Sequence, residues 1–372
     1  MRIAVDTKFL PANEVHDYFI KKLFCRLAKV HKDHQFIFFL DKPIDALPAL
    51  PLNVTPVVIT PEPTNFILYK WWYDVKVPSA LKKHKADVFI CTYGLCSLHT
   101  KIPQLLIVHN LSFLHDSVFF PKNSLSFYKK YTLQFLRTAA VIATFSDFVK
   151  KEISGKYAIS EQQIKVIEIA PLSFFEPLLW EDREKVKEQY AQGCEYFVLT
   201  GSIQPLNNLI NLLKAFSIFK KRQKTNMKLV IAVNSEEYKA QEEKLKSYKY
   251  KNDIHLAENL SLAELAQLTA GAFAMIFTPL YEGFGQAVLE AMQCEVPVIT
   301  SIESSMAEIA GDAALYADPA KPEEIAEQMK QIFKDEKLRN KLVAAGKERI
   351  KLYNWNKTIA LTWQAIEKAV SR

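Results

Sequence analysis

Apolar residues along this chain fall into short runs separated by longer amphipathic stretches. Mostly apolar runs at 2–6 (RIAVD), 35–40 (QFIFFL), 54–59, 87–91, 104–108 and 140–144 predict strands. Helical periodicity at about 14–30, 70–84, 122–138 and 146–156 predicts the helices between them. Short buried strands alternating with helices make a parallel sheet wound on both faces, because each parallel connection must cross the sheet. After 164–170 comes APLSFFEPLLWED, a proline-containing stretch with no period, which reads as the connection between two domains. The alternation then restarts, with strands predicted at 195–200, 228–233, 253–256, 273–277 and 296–300. Helices are predicted near 206–223, 235–248, 261–269, 285–293, 322–334 and 336–350, and a last one at 355–370 lies beyond the second set of strands. The expected class is therefore α/β, with two Rossmann-like domains whose ligand cleft lies at the carboxyl ends of both sheets.

Size agrees with that division, since 372 residues exceed what one core usually holds. Composition is that of a globular protein, with 49% apolar residues, but only 9 glycines. That is about a third of the usual share, which matters wherever a backbone must approach a phosphate. The net charge of +7 is uneven: residues 1–172 hold 22 Lys and Arg against 14 Asp and Glu, while the remainder is nearly balanced. A basic first half suits an anionic membrane surface, a lipid-linked phosphate or nucleic acid, and lysines scattered for solubility produce the same excess. No nucleic-acid-binding module or arginine cluster is present, so nucleic acid is not an expected partner.

Five cysteines without C-x-x-C spacing point to thiols in a reducing cytosol, and no His/Cys spacing suggests zinc. The opening MRIAVDTKFL reads directly as a strand, and no segment approaches ~18 uninterrupted apolar residues, so a cytoplasmic chain that neither is secreted nor spans a membrane is expected.

The chemistry concentrates in residues 277–300, FTPLYEGFGQAVLEAMQCEVPVIT, where Glu282 and Glu290 bracket a Gly-Phe-Gly turn that opens a helix between two strands. The open end of such a helix presents backbone N–H groups and the positive end of its dipole, which suits a phosphate or a sugar hydroxyl. Paired carboxylates accept hydrogen bonds from vicinal hydroxyls. Two lone glutamates also fit a plainer reading, with Glu282 a helix-terminal charge and Glu290 a solvated face residue. His109, after LLIV, either ends a buried strand on a neighbouring backbone group or faces a cleft at the strand's carboxyl end.

Laid end to end, the chain resembles the family-4 retaining glycosyltransferases of the GT-B fold. The resemblance rests on YEGFGQAVLEAMQCEVPVITS followed by AEIAGDAALYADP, which looks like the family's Glu-x7-Glu donor site, with VHNLSFLHDSVFFPKN, ATFSDFVKKEI and WNKTIALTWQAI in the family's order. It implies an N-terminal acceptor-side domain, 1–172, with 355–372 packing back on it, and a donor domain, 173–354. It implies that Glu290 bonds the donor ribose, that Glu282 meets the sugar hydroxyls, and that the backbone of Gly283, Phe284, Gly285 and Gln286 lies beside sugar and diphosphate. His109 takes the position of a histidine near the acceptor and the transferred sugar; Gly201 and Asn208 belong to the diphosphate loop.

The implied reaction moves a mannose- or glucose-like hexose from a nucleoside diphosphate sugar, with retention, to a glycan or lipid-linked acceptor in surface polysaccharide synthesis. No metal and no cofactor beyond the donor itself is expected. The chain departs from the family at the diphosphate loop, Gly201-Ser202-Ile203-Gln204-Pro205-Leu206-Asn207-Asn208, where two usual cations are replaced by Leu206 and Asn207. The leaving diphosphate then needs N–H groups or other cations, such as Lys150 or Lys151. The first domain's glycine-rich turn is replaced by glycine-free Leu10–His16, and Glu295 stands where glycine usually follows. The alternative reading is a degenerate nucleotide-sugar binder or partner subunit. Aromatic and basic residues interleave in FILYKWWYDVKVPSALKKHK and SLSFYKKYTLQFLR, a pattern suited to peripheral contact with an anionic membrane face, or to aromatics in the core with wet lysines.

Overall fold

The computed structural model describes residues 1–7, 15–42, 50–115, 121–201, 205–234, 239, 245–246 and 248–371. The chain divides into two compact units, Met1–Glu168 with Trp355–Arg372, and Ile169–Asn354. The changeover comes earlier than residue 172, because Leu172 is buried in the second unit and its carbonyl accepts from Gln293 Nε2 at 3.4 Å.

In the first unit the strands are β1 (Arg2–Asp6), β2 (Gln35–Leu40), β3 (Val54–Val58), β4 (Val88–Cys91), β5 (Gln104–Ile107), β6 (Val141–Thr144) and β7 (Ile164–Val166). They pair in parallel in the order β3-β2-β1-β4-β5-β6-β7. The order reverses between β1 and β4, the switch point at whose carboxyl end such sheets bind ligands. The first five helices are α1 (Val15–Val30), α2 (Phe66–Trp71), α3 (Val77–Lys83), α4 (Lys122–Thr138) and α5 (Asp147–Tyr157).

The second unit holds β8 (Tyr196–Leu199), β9 (Lys228–Val233), β10 (Ile254–Glu258), β11 (Ala274–Phe277), β12 (Val298–Ser301) and β13 (Ala314–Ala317), ordered β10-β9-β8-β11-β12-β13 and again parallel. Its helices are α6 (Trp180–Ala191), α7 (Leu209–Gln223), α8 (Leu262–Ala270), α9 (Gln286–Gln293), α10 (Met306–Ala310), α11 (Pro322–Lys334) and α12 (Glu336–Ile350). Strands β4, β5, β6, β8, β11 and β12 are buried at every residue, which is why they read in sequence as continuous apolar runs.

The last helix, α13 (Trp355–Val370), belongs to the first unit. Trp355 packs on Phe19 with ring centroids 5.3 Å apart, Trp363 stacks on His31 at 3.5 Å, and Thr358 Oγ1 donates to the Glu168 carbonyl at 2.8 Å.

Four elements went unread in the sequence, the three-residue strand β7 among them. Helix α6 begins inside the supposed connection; its sequence, WEDREKVKEQYA, is polar around most of its circumference and gives no clear apolar stripe. Helix α10 and strand β13 are too short to carry a period. The helix predicted from 70 starts instead at Phe66, because Asn65 Oδ1 caps it, accepting from the N–H of Ile67 at 3.1 Å and Leu68 at 3.0 Å. Residues 10–14 of the glycine-free turn, Ser202–Gln204 and most of the predicted 235–248 helix lie outside the described residues.

Candidate active site

In the second unit β11 ends at Phe277, and the chain reaches Glu282 and the Gly283–Gly285 turn before α9 begins. Gly285 caps the helix with left-handed backbone, φ 92°, and a Cβ built there would lie 2.3 Å from Met306 Cε. The φ favours glycine, and any side chain there would also displace the end of Met306. Phe284 is buried, its ring edge-on to Tyr353 with centroids 6.3 Å apart, so its side chain anchors the turn while its backbone faces the helix opening.

Glu282 is pinned through its backbone by the loop after β12. Its N–H donates to Ser304 Oγ at 3.1 Å, and Ser305 Oγ donates to its carbonyl at 2.9 Å. Glu282 as a whole residue is half-buried, its carboxylate turned against its own turn. Burial raises its pKa above the ordinary range, and hydrogen bonds from the backbone N–H groups of Phe284, Gly283 and Gly285 draw it back. The N–H groups assigned by resemblance to the sugar and diphosphate therefore hold the protein's own carboxylate. The turn is an anion-holding cup.

Glu290, one turn into α9, is only 4% exposed, which excludes the solvated-face reading. Gln286 Nε2 donates to its Oε1 at 2.9 Å, the i, i+4 geometry of one helix face. Burial pushes its pKa up to about 8, with the Gln286 bond opposing. A carboxyl so poised is neutral or charged according to what is placed beside it, and it accepts hydrogen bonds from hydroxyls in a site that excludes water.

The loop after β8 completes the surroundings. Gly201 is exposed, with φ +94°, and its position for a Cβ lies 3.9 Å from the Phe277 ring. The Leu206 carbonyl accepts from the Leu280 N–H at 2.8 Å. Asn208 is buried and left-handed, and its Nδ2 donates to the carbonyls of Thr278 at 2.9 Å and Pro319 at 2.7 Å. Asn211 Nδ2 donates to its Oδ1 at 2.9 Å. Asn208 thus ties three loops at the carboxyl end of this sheet, a use that sequence could not separate from ligand binding. Ser304, Ser305 and Asn211 support the site and carried no recognisable signal.

His109 belongs to the first unit, just past β5. Its Nε2 meets the Thr92 carbonyl and its ring lies edge-on to Phe145 at 5.0 Å. Burial lowers its pKa to about 4, so the ring is neutral near pH 7, with the proton on Nε2 and the lone pair on Nδ1. Lys150 and Lys151 are also first-unit residues, Lys150 lying 3.5 Å from Glu161. His115 pairs with Glu152. Among the described residues no group of His, Cys, Asp and Glu is placed to hold a metal ion, and no helix is long and apolar enough to cross a membrane.

Comparison with known proteins follows the same lines. Residues 19–168 match the model described as Glycosyltransferase Family 4, and residues 181–349 match that of Glycosyl transferases group 1. The chain is 26% identical over 263 residues to the O-antigen chain mannosyltransferase B of Escherichia coli, covering 69% of this chain and 68% of that protein. It is 25% identical over 327 residues to the O-antigen chain mannosyltransferase RfbU of Salmonella typhimurium, covering 84% of this chain and 81% of the relative. The solved structure of Anabaena HepE in complex with UDP and glucose superposes over all of both chains with a TM-score of 0.75 at 13% identity. The chain is a glycosyltransferase enzyme of the α/β GT-B fold and belongs to the group 1, family-4 glycosyltransferases.

Proposed function

We propose that this glycosyltransferase moves a hexose, mannose or a close relative, from a nucleoside diphosphate sugar to a glycan or lipid-linked acceptor in surface polysaccharide synthesis, at the cytoplasmic face of a membrane and with retention at the anomeric carbon. The observation that carries the donor site is the pair Glu282 and Glu290 around an N–H-lined turn at the carboxyl end of β11. Mannosyl transfer in O-antigen synthesis is the activity of the named relatives, which supports the sugar and the setting.

In this reading Glu290 accepts from the ribose hydroxyls and Glu282 leaves its turn to accept from the sugar. The freed N–H groups of Gly283, Phe284 and Gly285, together with the α9 dipole, then meet the charge growing on the leaving diphosphate. That assigns to backbone groups part of the work that cations at the Leu206 and Asn207 positions would do. His109, neutral and held through Nε2 on the Thr92 carbonyl, is the first-unit residue that this reading sets near the acceptor and the transferred sugar. No metal and no cofactor beyond the donor enters the scheme.

The test is transfer itself. Purified protein is incubated with UDP-, GDP-, ADP- and TDP-hexoses and a polyprenyl-diphosphate glycan, and the product's one-bond C1–H1 coupling, which separates α- from β-mannosides, is read by NMR. Transfer with the donor's own anomeric configuration is expected; inversion would overturn the retaining mechanism, and transfer undiminished in Glu282→Ala would overturn the site.

A further inference from the structure

The helix that covers the carboxyl end of the first sheet has an outer face unlike that of an ordinary surface helix. Residues 66–83 run as one continuous right-handed helix in which α2 passes through a π-helical turn, Trp72–Lys76, into α3. The wide turn keeps Trp72, Tyr73, Val77 and Leu81 in the core, with Trp72 Nε1 donating to the Ile59 carbonyl at 2.9 Å. On the opposite side Ile67, Trp71 and Val75 recur at every fourth residue and are 83%, 37% and 51% exposed. Scattered exposed apolar residues are normal, but a stripe of three on one helix face is a surface with a use.

Cations border this stripe. Lys76 Nζ lies 5.0 Å from the Trp71 ring centre, and exposed Lys82 and Lys83 follow along the same helix. Helix α4 packs alongside, with Phe66 on Phe127 at 4.7 Å, and the Tyr131 ring lies between Lys70 at 4.8 Å and Lys130 at 5.1 Å. Helix α4 holds three lysines and an arginine and no acidic residue. Lys122, Lys129 and Lys130, with Leu125 and Ser126, share one open patch of surface on its outer side. An apolar ridge with a bulky aromatic, flanked by lysines and a basic helix face, matches a bilayer whose interior is apolar and whose headgroups are anionic.

We infer that the outer face of residues 66–83, together with the lysine face of α4, is the surface by which this protein lies on an anionic phospholipid bilayer. Ile67, Trp71 and Val75 enter the headgroup boundary, and Lys76, Lys122, Lys129 and Lys130 meet phosphates beside them. The inner face of the same helix reaches the sheet's carboxyl end, where Tyr73 donates its hydroxyl to Asp6, so the element that touches lipid also walls the end of the first sheet. Only the purpose of this surface, delivery of a lipid-linked acceptor, rests on the function proposed above; attachment itself does not.

Cosedimentation of the full chain with vesicles of phosphatidylglycerol or of phosphatidylcholine tests it, using wild type and Ile67→Glu/Trp71→Glu. Wild type is expected to bind phosphatidylglycerol vesicles, less well as salt rises, and to leave phosphatidylcholine largely unbound. The double variant is expected to stay folded, its melting temperature lowered only by the lost contacts of the partly covered Trp71, and to bind about tenfold or more weakly. Equal vesicle binding by variant and wild type, or no binding by wild type, would overturn the inference. So would self-association of the wild type that the variant abolishes, which would assign the stripe to a second copy. Nucleotide binding measured on the same samples separates the two readings: vesicle binding without a nucleotide response keeps this surface and removes the donor site.

Discussion

Glu290 is the residue whose physics is most exposed to test. Its carboxyl has an ordinary value of 4.5 and is held near 8 by burial, so between those values the folded chain keeps a proton that the unfolded chain has lost. For a group raised in this way the cost of its charge is absent below the lower value, grows as pH rises, and stands in full above the upper one. Glu290→Gln keeps the shape and an oxygen acceptor for Gln286 while removing the charge. The substitution should therefore raise the melting temperature of the ligand-free protein at about pH 9, by roughly 2 kcal/mol or more in stability, and change it little near pH 4.5. An equal effect at both pH values, read by thermal denaturation, would show that the buried carboxyl is not responsible. Under the donor role proposed for Glu290, ribose hydroxyls donating to the ionised form would reverse the balance, and stabilisation sacrificed in the empty protein would become affinity.

Among elements, the end of α9 shows how a glycine-poor chain makes its turns. Of the described residues with positive φ, eight are not glycine and five are. Scarcity of glycine therefore did not remove left-handed turns; other residues adopt them. Glu295 is one, at φ 60°, just after the helix, with its N–H bonded to the Met292 carbonyl at 3.1 Å and the Val296 N–H to that of Ala291 at 2.9 Å. This is the paired closure of a Schellman motif, whose left-handed position favours glycine. The compensating ion pair, Lys347 with Glu295 at 2.8 Å, is half-exposed and contributes little. Glu295→Gly should raise stability by about 0.5 kcal/mol in urea unfolding, left-handed strain relieved against greater unfolded-state entropy. A loss of stability would mean that the Lys347 pair outweighs the backbone.

The strands were legible in sequence because parallel strands buried on both faces read as unbroken apolar runs, and the Glu282–Glu290 turn was legible because its glycines and carboxylates have fixed spacing. Helix α6 was not, since a helix that packs only Val186, Tyr190, Ala191 and the stem of Lys187 shows no stripe. Nor could spacing reveal that Asn208 spends its amide on the Thr278 and Pro319 carbonyls. Hydrogen bonds that join loops distant in sequence leave no local pattern.

At the scale of the whole molecule, the two units divide the labour by charge and chemistry. The first, with 25 Lys and Arg against 15 Asp and Glu, carries the neutral His109 and the apolar stripe flanked by lysines; the second, with 23 against 26, carries Glu282, Glu290 and the N–H-lined turn. The C-terminal helix α13 returns the chain to the first unit, so that the first unit is built from two segments of the sequence and the second from one. The function proposed here has the second unit hold the donor, and the most direct measurement is calorimetric titration of wild type and Glu290→Ala with UDP, GDP, ADP, TDP and their hexose conjugates. One nucleotide family should bind the wild type selectively, about tenfold or more tighter than it binds Glu290→Ala, as expected for loss of a buried hydrogen-bond acceptor. Equal binding by both proteins, or no binding of any nucleotide to the wild type, would contradict the assignment of Glu282, the Gly283–Gly285 turn and Glu290 as the donor site.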